Sequence, residues 1–266
     1  MLLDFLSVLD PATILLIISS GLAVGISLGL TGGGGSILAV PLLIYVIGIK
    51  DPHAAIGTSA LVVGIIAAVS MVGHKMHGHL RLKEGLMFAV PGMGGTILGT
   101  QLGLLTPANH LLLIFAAFMM VIGYRTFTKK PNVPITNNHV HGTVLLQKNK
   151  VALTGLLVGI AAGYFGIGGG FLIVPALMHS VGLDIMDAIG TSLLPVSAFG
   201  LSTATRYFLE GQINWLVAML FVIGGVAGGL VGTKFAMKIP RPLLLKVFGV
   251  LLFVIAIYIV ARTFTS

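Results

Sequence analysis

The sequence predicts an all-α, polytopic membrane protein made of two homologous repeats, and three observations carry that prediction. Hydrophobic residues fill 56% of the 266 positions and charged residues only 8%, with a mean hydropathy of +1.08, whereas soluble domains carry about 25% charged residues. Apolar stretches able to cross a hydrocarbon core of ~30 Å recur along the whole chain. Several short blocks of sequence occur twice at a nearly constant spacing. The composition excludes a water-soluble enzyme.

Ten apolar segments follow in order: 12–30, 36–49, 54–73, 85–105, 109–127, 151–167, 170–183, 186–208, 214–237 and 243–262. The first follows the start MLLDFLSVLDP, which has Asp4 and Asp10 but no Lys or Arg. It lacks the basic region of a cleaved signal peptide and is read as retained. Segments 36–49 and 170–183 follow glycine runs and reach only about 20 Å as helices at ~1.5 Å per residue. The preferred architecture has five segments per half with the halves inverted; the alternative has eight crossings with these two segments re-entrant. The expected division is a first repeat at 1–127, a cytoplasmic linker at 128–150 that includes the polar, proline-containing stretch PNVPITNNHVHGT, and a second repeat at 151–266.

All seven acidic residues (Asp4, Asp10, Asp51, Glu84, Asp184, Asp187, Glu210) fall at segment ends, so no carboxylate sits deep in a span to relay protons or sodium. The formal charge of +8 comes largely from two loops, 75–83 with Lys75, Arg81 and Lys83, and 125–150 with Arg125, Lys129, Lys130, Lys148 and Lys150. Basic loops of this kind mark the cytoplasmic side rather than a nucleic-acid footprint. With no Cys, disulfides, thiolate nucleophiles and Cys-ligated metals drop out.

At an offset of 134, Gly29, Gly32, Gly34, Gly35 and Pro41 fall on Gly163, Gly166, Gly168, Gly169 and Pro175. At an offset of 133, AIGTS (55–59) meets AIGTS (188–192), and Gly78, Gly99, Thr100, Pro107 and Phe115 meet Gly211, Gly232, Thr233, Pro240 and Phe248. Duplication of this kind is a signature of transporters whose site lies between repeats near the midplane, though channels and some membrane enzymes are duplicated too. Equivalent loops carry unequal charge. Loop 75–83 holds three basic residues against Arg206 alone in its counterpart near 206–214, while loop 106–108 holds none against Lys234, Lys238 and Arg241. A surplus that swaps ends is what inverted halves require.

Each half opens with Gly at every fourth position, Gly21, Gly25, Gly29 and Gly155, Gly159, Gly163, a ridge at which helices pack closely. The runs LTGGGGSILAVP (30–41) and FGIGGGFLIVP (165–175) are different, because consecutive Gly breaks a helix and exposes backbone N–H groups that need partners. Gly32, Gly33, Gly34, Gly35 and Ser36, with Gly166, Gly168, Gly169 and Gly170, are therefore candidate anion-binding residues at the start of the following helix. The other reading is a glycine-lined tight turn where helices cross. No Gly-Lys-Ser/Thr follows, so neither run is a P-loop.

The paired glycine runs ending in VP, the AIGTS blocks, Gly78-His79-Leu80 and Gly211-Gln212-Ile213-Asn214-Trp215 resemble the sulfite exporter TauE/SafE family over nearly the whole chain. The resemblance implies a multi-pass permease of a prokaryotic plasma (inner) membrane, linked to export of sulfite, sulfoacetate or related sulfur compounds.

Thr58, Ser59, Thr191 and Ser192 sit at matched positions where each hydroxyl serves either a bound oxyanion or its own helix backbone. Gln101 and Lys234 are equivalents. Lys234 either balances an anion's charge or snorkels to the interface. Arg206 is expected to pair with Glu210 one turn away, and Trp215 to anchor at the interface. His74, His77 and His79 resemble a metal cluster, but the basic residues around them oppose a cation.

The function expected is a secondary transporter exporting a small sulfur-containing anion such as sulfite or an organosulfonate. The alternative is a metal-cation or other small-solute permease or channel; an intramembrane enzyme is disfavoured because no nucleophile–base pair is visible. The expected partners are a small-molecule anion and the lipid bilayer, with no nucleic acid, no cofactor, no resident metal and no catalytic residue. Self-association into a homo-oligomer is left open.

Overall fold

The structure is a computed structural model that describes residues 10–236 apart from 109, 112, 116 and 118–143, with the backbone alone of 144–148. Segment 243–262, most of 109–127 and of the linker, and Lys238 and Arg241 lie outside the described residues. Among the described residues the chain is helical and contains no strand. The longer helices among the described residues are α1 (Pro11–Thr31), α2 (Pro52–Met76), α3 (Leu82–Leu105), α4 (Val144–Phe165), α5 (Gly170–Ser180), α6 (Ile185–Leu209) and α7 (Trp215–Ala236). Between α1 and α2 the chain winds through a 3-10 stretch, Gly32–Leu38, one α turn, Ala39–Pro41, and a π stretch, Leu42–Val46. Helix α4 begins inside the residues read as linker.

Among the described residues five stretches are long and apolar enough to cross a membrane: Pro11–Val46, Pro52–Met76, Leu82–Leu105, Ile185–Leu209 and Trp215–Ala236. Their ends carry local stop signals. Pro11 and Pro52 occupy first-turn positions, where the missing N–H costs nothing, and the Asp51 side chain accepts from His53 N at 3.0 Å to cap α2. Gly78 and Gly211, both at positive φ, close the α2–α3 and α6–α7 turns. Large apolar side chains such as Leu15, Val90, Leu157 and Ile223 remain exposed on the periphery, as a lipid solvent demands. Of these five stretches, α2 and α6 are the most enclosed.

The glycine ridges set the helix directions. Gly21, Gly25 and Gly29 of α1 abut the carbonyls of Phe221, Gly225 and Gly229 in ascending order, so α1 and α7 run parallel. Gly155, Gly159 and Gly163 of α4 abut the carbonyls of Phe88, Gly92 and Thr96 in the same way, so α3 and α4 run parallel. Gly225 meets Ile66 and Gly229 meets Ser70, which aligns α7 with α2, whereas Gly57 meets Tyr207 and Gly64 meets Leu201, which opposes α2 and α6. Helices α1, α2 and α7 thus point one way and α3, α4 and α6 the other. Because α1 and α2 point the same way, residues 32–51 lead the chain back between them. The reversal begins at Gly32, φ +72, after which Gly35 packs on Ser27 and Leu28.

A side chain on a ridge glycine has nowhere to go without parting two backbones. Gly159→Val is expected to lower the folded state's stability by about 1–3 kcal/mol, read as a lower thermal midpoint in detergent. Gly94→Ala, on the same packing pair but with open space around it, is expected to match or exceed the parent. A Gly159→Val midpoint equal to the parent's would show that the ridge contact is not needed.

Candidate functional site

The two glycine runs meet. Gly33 and Gly170 are packed backbone on backbone, each filling the space a Cβ would need on the other. Gly32 lies against Ile189 and the Ser192 hydroxyl, while Gly166 lies against Ile56. Gly168 touches Val63 and Val196, which are mid-helix positions of α2 and α6. The crossing therefore sits at the middle of the two most enclosed helices, with the AIGTS blocks on either side of it. Gly32–Ser36 and Gly166–Gly170 are all buried.

The runs differ in local form. The first is wound as a 3-10 stretch in which Ser36 Oγ donates to Gly33 O at 2.6 Å. The second holds Gly166, Gly168 and Gly169 at φ +64, a left-handed conformation that a Cβ would oppose. It ends at the N-terminus of α5, where Leu172 N and Ile173 N bond Gly169 O. The expected helix start thus follows directly on the second run and is displaced to Ala39 in the first.

The hydroxyls of the AIGTS blocks fall into two kinds. Ser59 Oγ donates to Ile56 O and Gly166 O, both at 2.9 Å, and Ser192 Oγ to Ile189 O at 2.7 Å, the backbone bonding common in membrane helices. Thr58 Oγ1 instead accepts from Asn214 N, and Thr191 Oγ1 from Arg81 N, each at 2.9 Å. These bonds tie each block to the turn after the other block's helix. An accepting hydroxyl still has a proton to donate.

Gln101 and Lys234 lie apart from this centre. Lys234 is exposed near the end of α7. Gln101 faces a cavity of ≈ 310 Å³ lined by His53, Gln101, Leu104, Leu105, Glu210 and Gln212, at the end of the bundle where α2 begins and α3 and α6 finish. Its Oε1 accepts from Arg206 Nη2 at 2.7 Å, so the partner of Arg206 is Gln101 rather than Glu210. Asp187 takes two basic side chains, Arg81 Nε at 2.7 Å and His79 Nδ1 at 3.1 Å. The Asp187 carboxylate, by hydrogen bond first and by charge second, holds the Arg81 guanidinium above its ordinary pKa.

The three histidines turn to three partners. His74 Nε2 bonds Gly29 O at 3.0 Å, His77 Nδ1 bonds Gly73 O at 2.8 Å, and His79 bonds Asp187. No group of His, Asp and Glu able to hold a metal is found among the described residues. Trp215 stands half exposed at the head of α7, its ring edge-on to Phe208 at 5.7 Å. Sequence reasoning missed Asp187 as a partner for loop 75–83. The signal was available, since an acid in the first turn of α6 stands opposite a loop rich in bases.

Apolar helices, glycine-mediated packing and a buried polar centre define a multi-pass membrane protein of the transporter class. The chain belongs to the sulfite exporter TauE/SafE family, whose model matches residues 17–259. A "Probable membrane transporter protein" of Xylella fastidiosa strain Temecula1 is 41% identical over 256 residues, covering 96% of this chain and 97% of that protein. YunE of Bacillus subtilis strain 168, also named a probable membrane transporter protein, is 27% identical over 253 residues, covering 88% and 93%. A third of that name from Haemophilus influenzae is 27% identical over 270 residues, covering 92% and 97%. No solved structure matches the chain.

Replacing Thr58 or Thr191 by the isosteric Val leaves one backbone N–H without its acceptor. Each substitution is expected to cost about 1–3 kcal/mol as a lowered thermal midpoint, with Thr→Ser near parental at either site. Unchanged midpoints for both Val variants would remove the hydroxyls from the turn-holding role given them here.

Proposed function

We propose that the chain is a secondary transporter whose cargo is a small sulfur-containing anion, sulfite or an organosulfonate, carried between two halves of opposite orientation in the plasma membrane of a prokaryote. The observation that carries this reading is the meeting of the two glycine runs at mid-helix depth, where backbone N–H groups and the hydroxyls of Ser36, Ser59 and Ser192 gather, with Thr58 and Thr191 toward the turn at either end. Backbone and hydroxyl donors suit an oxyanion, and a cluster of glycines lets the anion come close to N–H groups. Among the described residues no fixed charge lies at that depth to bind the cargo too tightly for release.

The opposed directions of equivalent helices support the inversion. By the sequence offsets α1 corresponds to α4, α2 to α6 and α3 to α7, and each such pair runs oppositely. Equivalent residues then fall at opposite ends, Gln101 at the cavity and Lys234 at the other mouth, where a cation favours an approaching anion. The basic loop 75–83 lies at the same end as Lys234, since Gly73 packs on Thr233, and the positive-inside rule makes that end cytoplasmic. Membership of the sulfite exporter TauE/SafE family supports this cargo class, and the relatives' transporter names agree with a role that is not enzymatic.

Purified protein in proteoliposomes is expected to move sulfite without ATP and to leave nickel and cobalt unmoved. Metal flux without sulfite flux would overturn the anion reading. A reporter active only in the cytoplasm, fused after Ser266, is expected to be silent, while the same reporter in loop 75–83 is active; a strong signal from Ser266 rejects an odd number of segments per half.

A further inference from the structure

We propose that Asp187, with Arg81 and His79, forms a gate that seals the cytoplasmic end of the transport path while the opposite end stands open at the cavity lined by Gln101. The proposal rests on the inverted-halves reading above.

The turn 77–81 is strapped across the head of α6. Asp187, in the first turn of α6 and 17% exposed, holds Arg81 by one carboxylate oxygen and His79 by the other. The Arg81 amide bonds Thr191, and the His79 carbonyl lies on Gly190. Below the strap lie Ser192 and Gly32, the inner side of the glycine crossing. His74 joins the strap to the first glycine run, since its carbonyl accepts from His79 N at 3.1 Å while its ring bonds Gly29 O, three residues before Gly32.

The other end repeats the backbone half of this device and omits the charged half. At the offset of 133, Asp187 corresponds to Ala54, His79 to Gln212 and Arg81 to Asn214. The Asn214 amide bonds Thr58, and the Gln212 carbonyl lies on Gly57. Each of these matches its counterpart bond for bond. With Ala54 where the first end has Asp187, no carboxylate bridges the side chains of Gln212 and Asn214, and that end carries the cavity of ≈ 310 Å³, with Gln212 and Glu210 in its wall and Arg206 bonded to Gln101 beside it. The two ends of one duplicated design therefore differ at the position of Asp187, which straps the turn 77–81 to the head of α6 at one end alone.

The lock is also weak enough to release. Arg81 is 55% exposed, and partly solvated pairs contribute little to stability. A gate must bias one state without trapping it, and an alternating mechanism needs states separated by only a few kcal/mol.

The chain has no Cys, so single cysteines report access directly, without reference to any cargo. Ser192→Cys is placed under the strap, and a membrane-impermeant maleimide is applied to sealed vesicles of each orientation. Labelling from the cytoplasmic face is expected to be slow in the otherwise parental chain. Asp187→Asn is expected to raise it about tenfold, the effect of weakening charge-assisted hydrogen bonds at one carboxylate. The exchanged pair Arg81→Asp with Asp187→Arg is expected to return it to the slow rate. Should Asp187→Asn fold poorly, Arg81→Gln cuts the same bond from the other side. Ser59→Cys, the equivalent site below the cavity, is expected to label faster from the outer face than Ser192→Cys does from the inner. An unchanged Ser192→Cys rate in both charge-removing variants, or no slowing in the exchanged pair, overturns the gate. Faster labelling that arrives from the outer face leaves the gate standing and overturns only the orientation assigned above.

Discussion

In hydrocarbon, two helices gain nothing by hiding apolar surface from each other, so what holds them is how closely their backbones approach. Everything in this bundle depends on that approach at the glycine ridges. Helix α1 lies on α7 and α4 lies on α3 with the glycines of one helix seated directly on the backbone carbonyls of the other. Helix α1, which leads into the glycine run 32–35, is thus held by α7, and α4, which leads into 166–170, is held by α3. This packing brings the C-terminal ends of α1 and α4 inward beside α2 and α6, which is where the glycine runs begin and where they meet.

The parts of this arrangement that depend on local sequence were legible in it. Apolar length placed segments 12–30, 54–73, 85–105, 170–183, 186–208 and 214–237, whose ends differ from the helices observed by a few residues. Helix α4 is the exception. Residues Gln147, Lys148, Asn149 and Lys150 are too polar for a hydropathy argument to include, yet all but Asn149 are good helix formers, so the helix starts at Val144 before the apolar stretch does. The ridges were legible because the spacing of small residues alone determines where two helices can touch. The 3-10 and π character of 32–46 was not, because it reflects how Gly32–Ser36 fits against Gly170 and α6 rather than any local preference.

Side-chain partners were the least legible part of the candidate site. Helical spacing pairs Arg206 with Glu210, but Arg206 bonds Gln101 instead, a residue 105 positions away that only the packing of α3 on α6 brings within reach. A spacing rule ranks neighbours on one helix and is blind to a neighbour on the next. The same blindness hid Asp187 from loop 75–83. What the rule did give correctly was position: the acids belong to segment ends, and Asp187 sits in the first turn of α6.

That distribution of charge bears on how a polar centre survives in a membrane. A lone carboxylate or ammonium at mid-depth would be costly unless paired, and this chain keeps its carboxylates and Lys234 at the ends. At the centre it places groups that satisfy one another, Ser59 on the Gly166 carbonyl and Ser36 on Gly33, with Thr58 and Thr191 on backbone amides of the turns to either side. A cargo anion at the proposed site would have to displace some of these bonds and leave carbonyls without donors. Its affinity is then the small difference between two hydrogen-bonded arrangements, and the bonds it displaces are those joining the glycine runs and the turns to α2 and α6. On the proposed function, binding there would loosen the contacts joining the glycine runs and the turns to α2 and α6, which would tie occupancy to movement without any charged residue in the middle of the membrane.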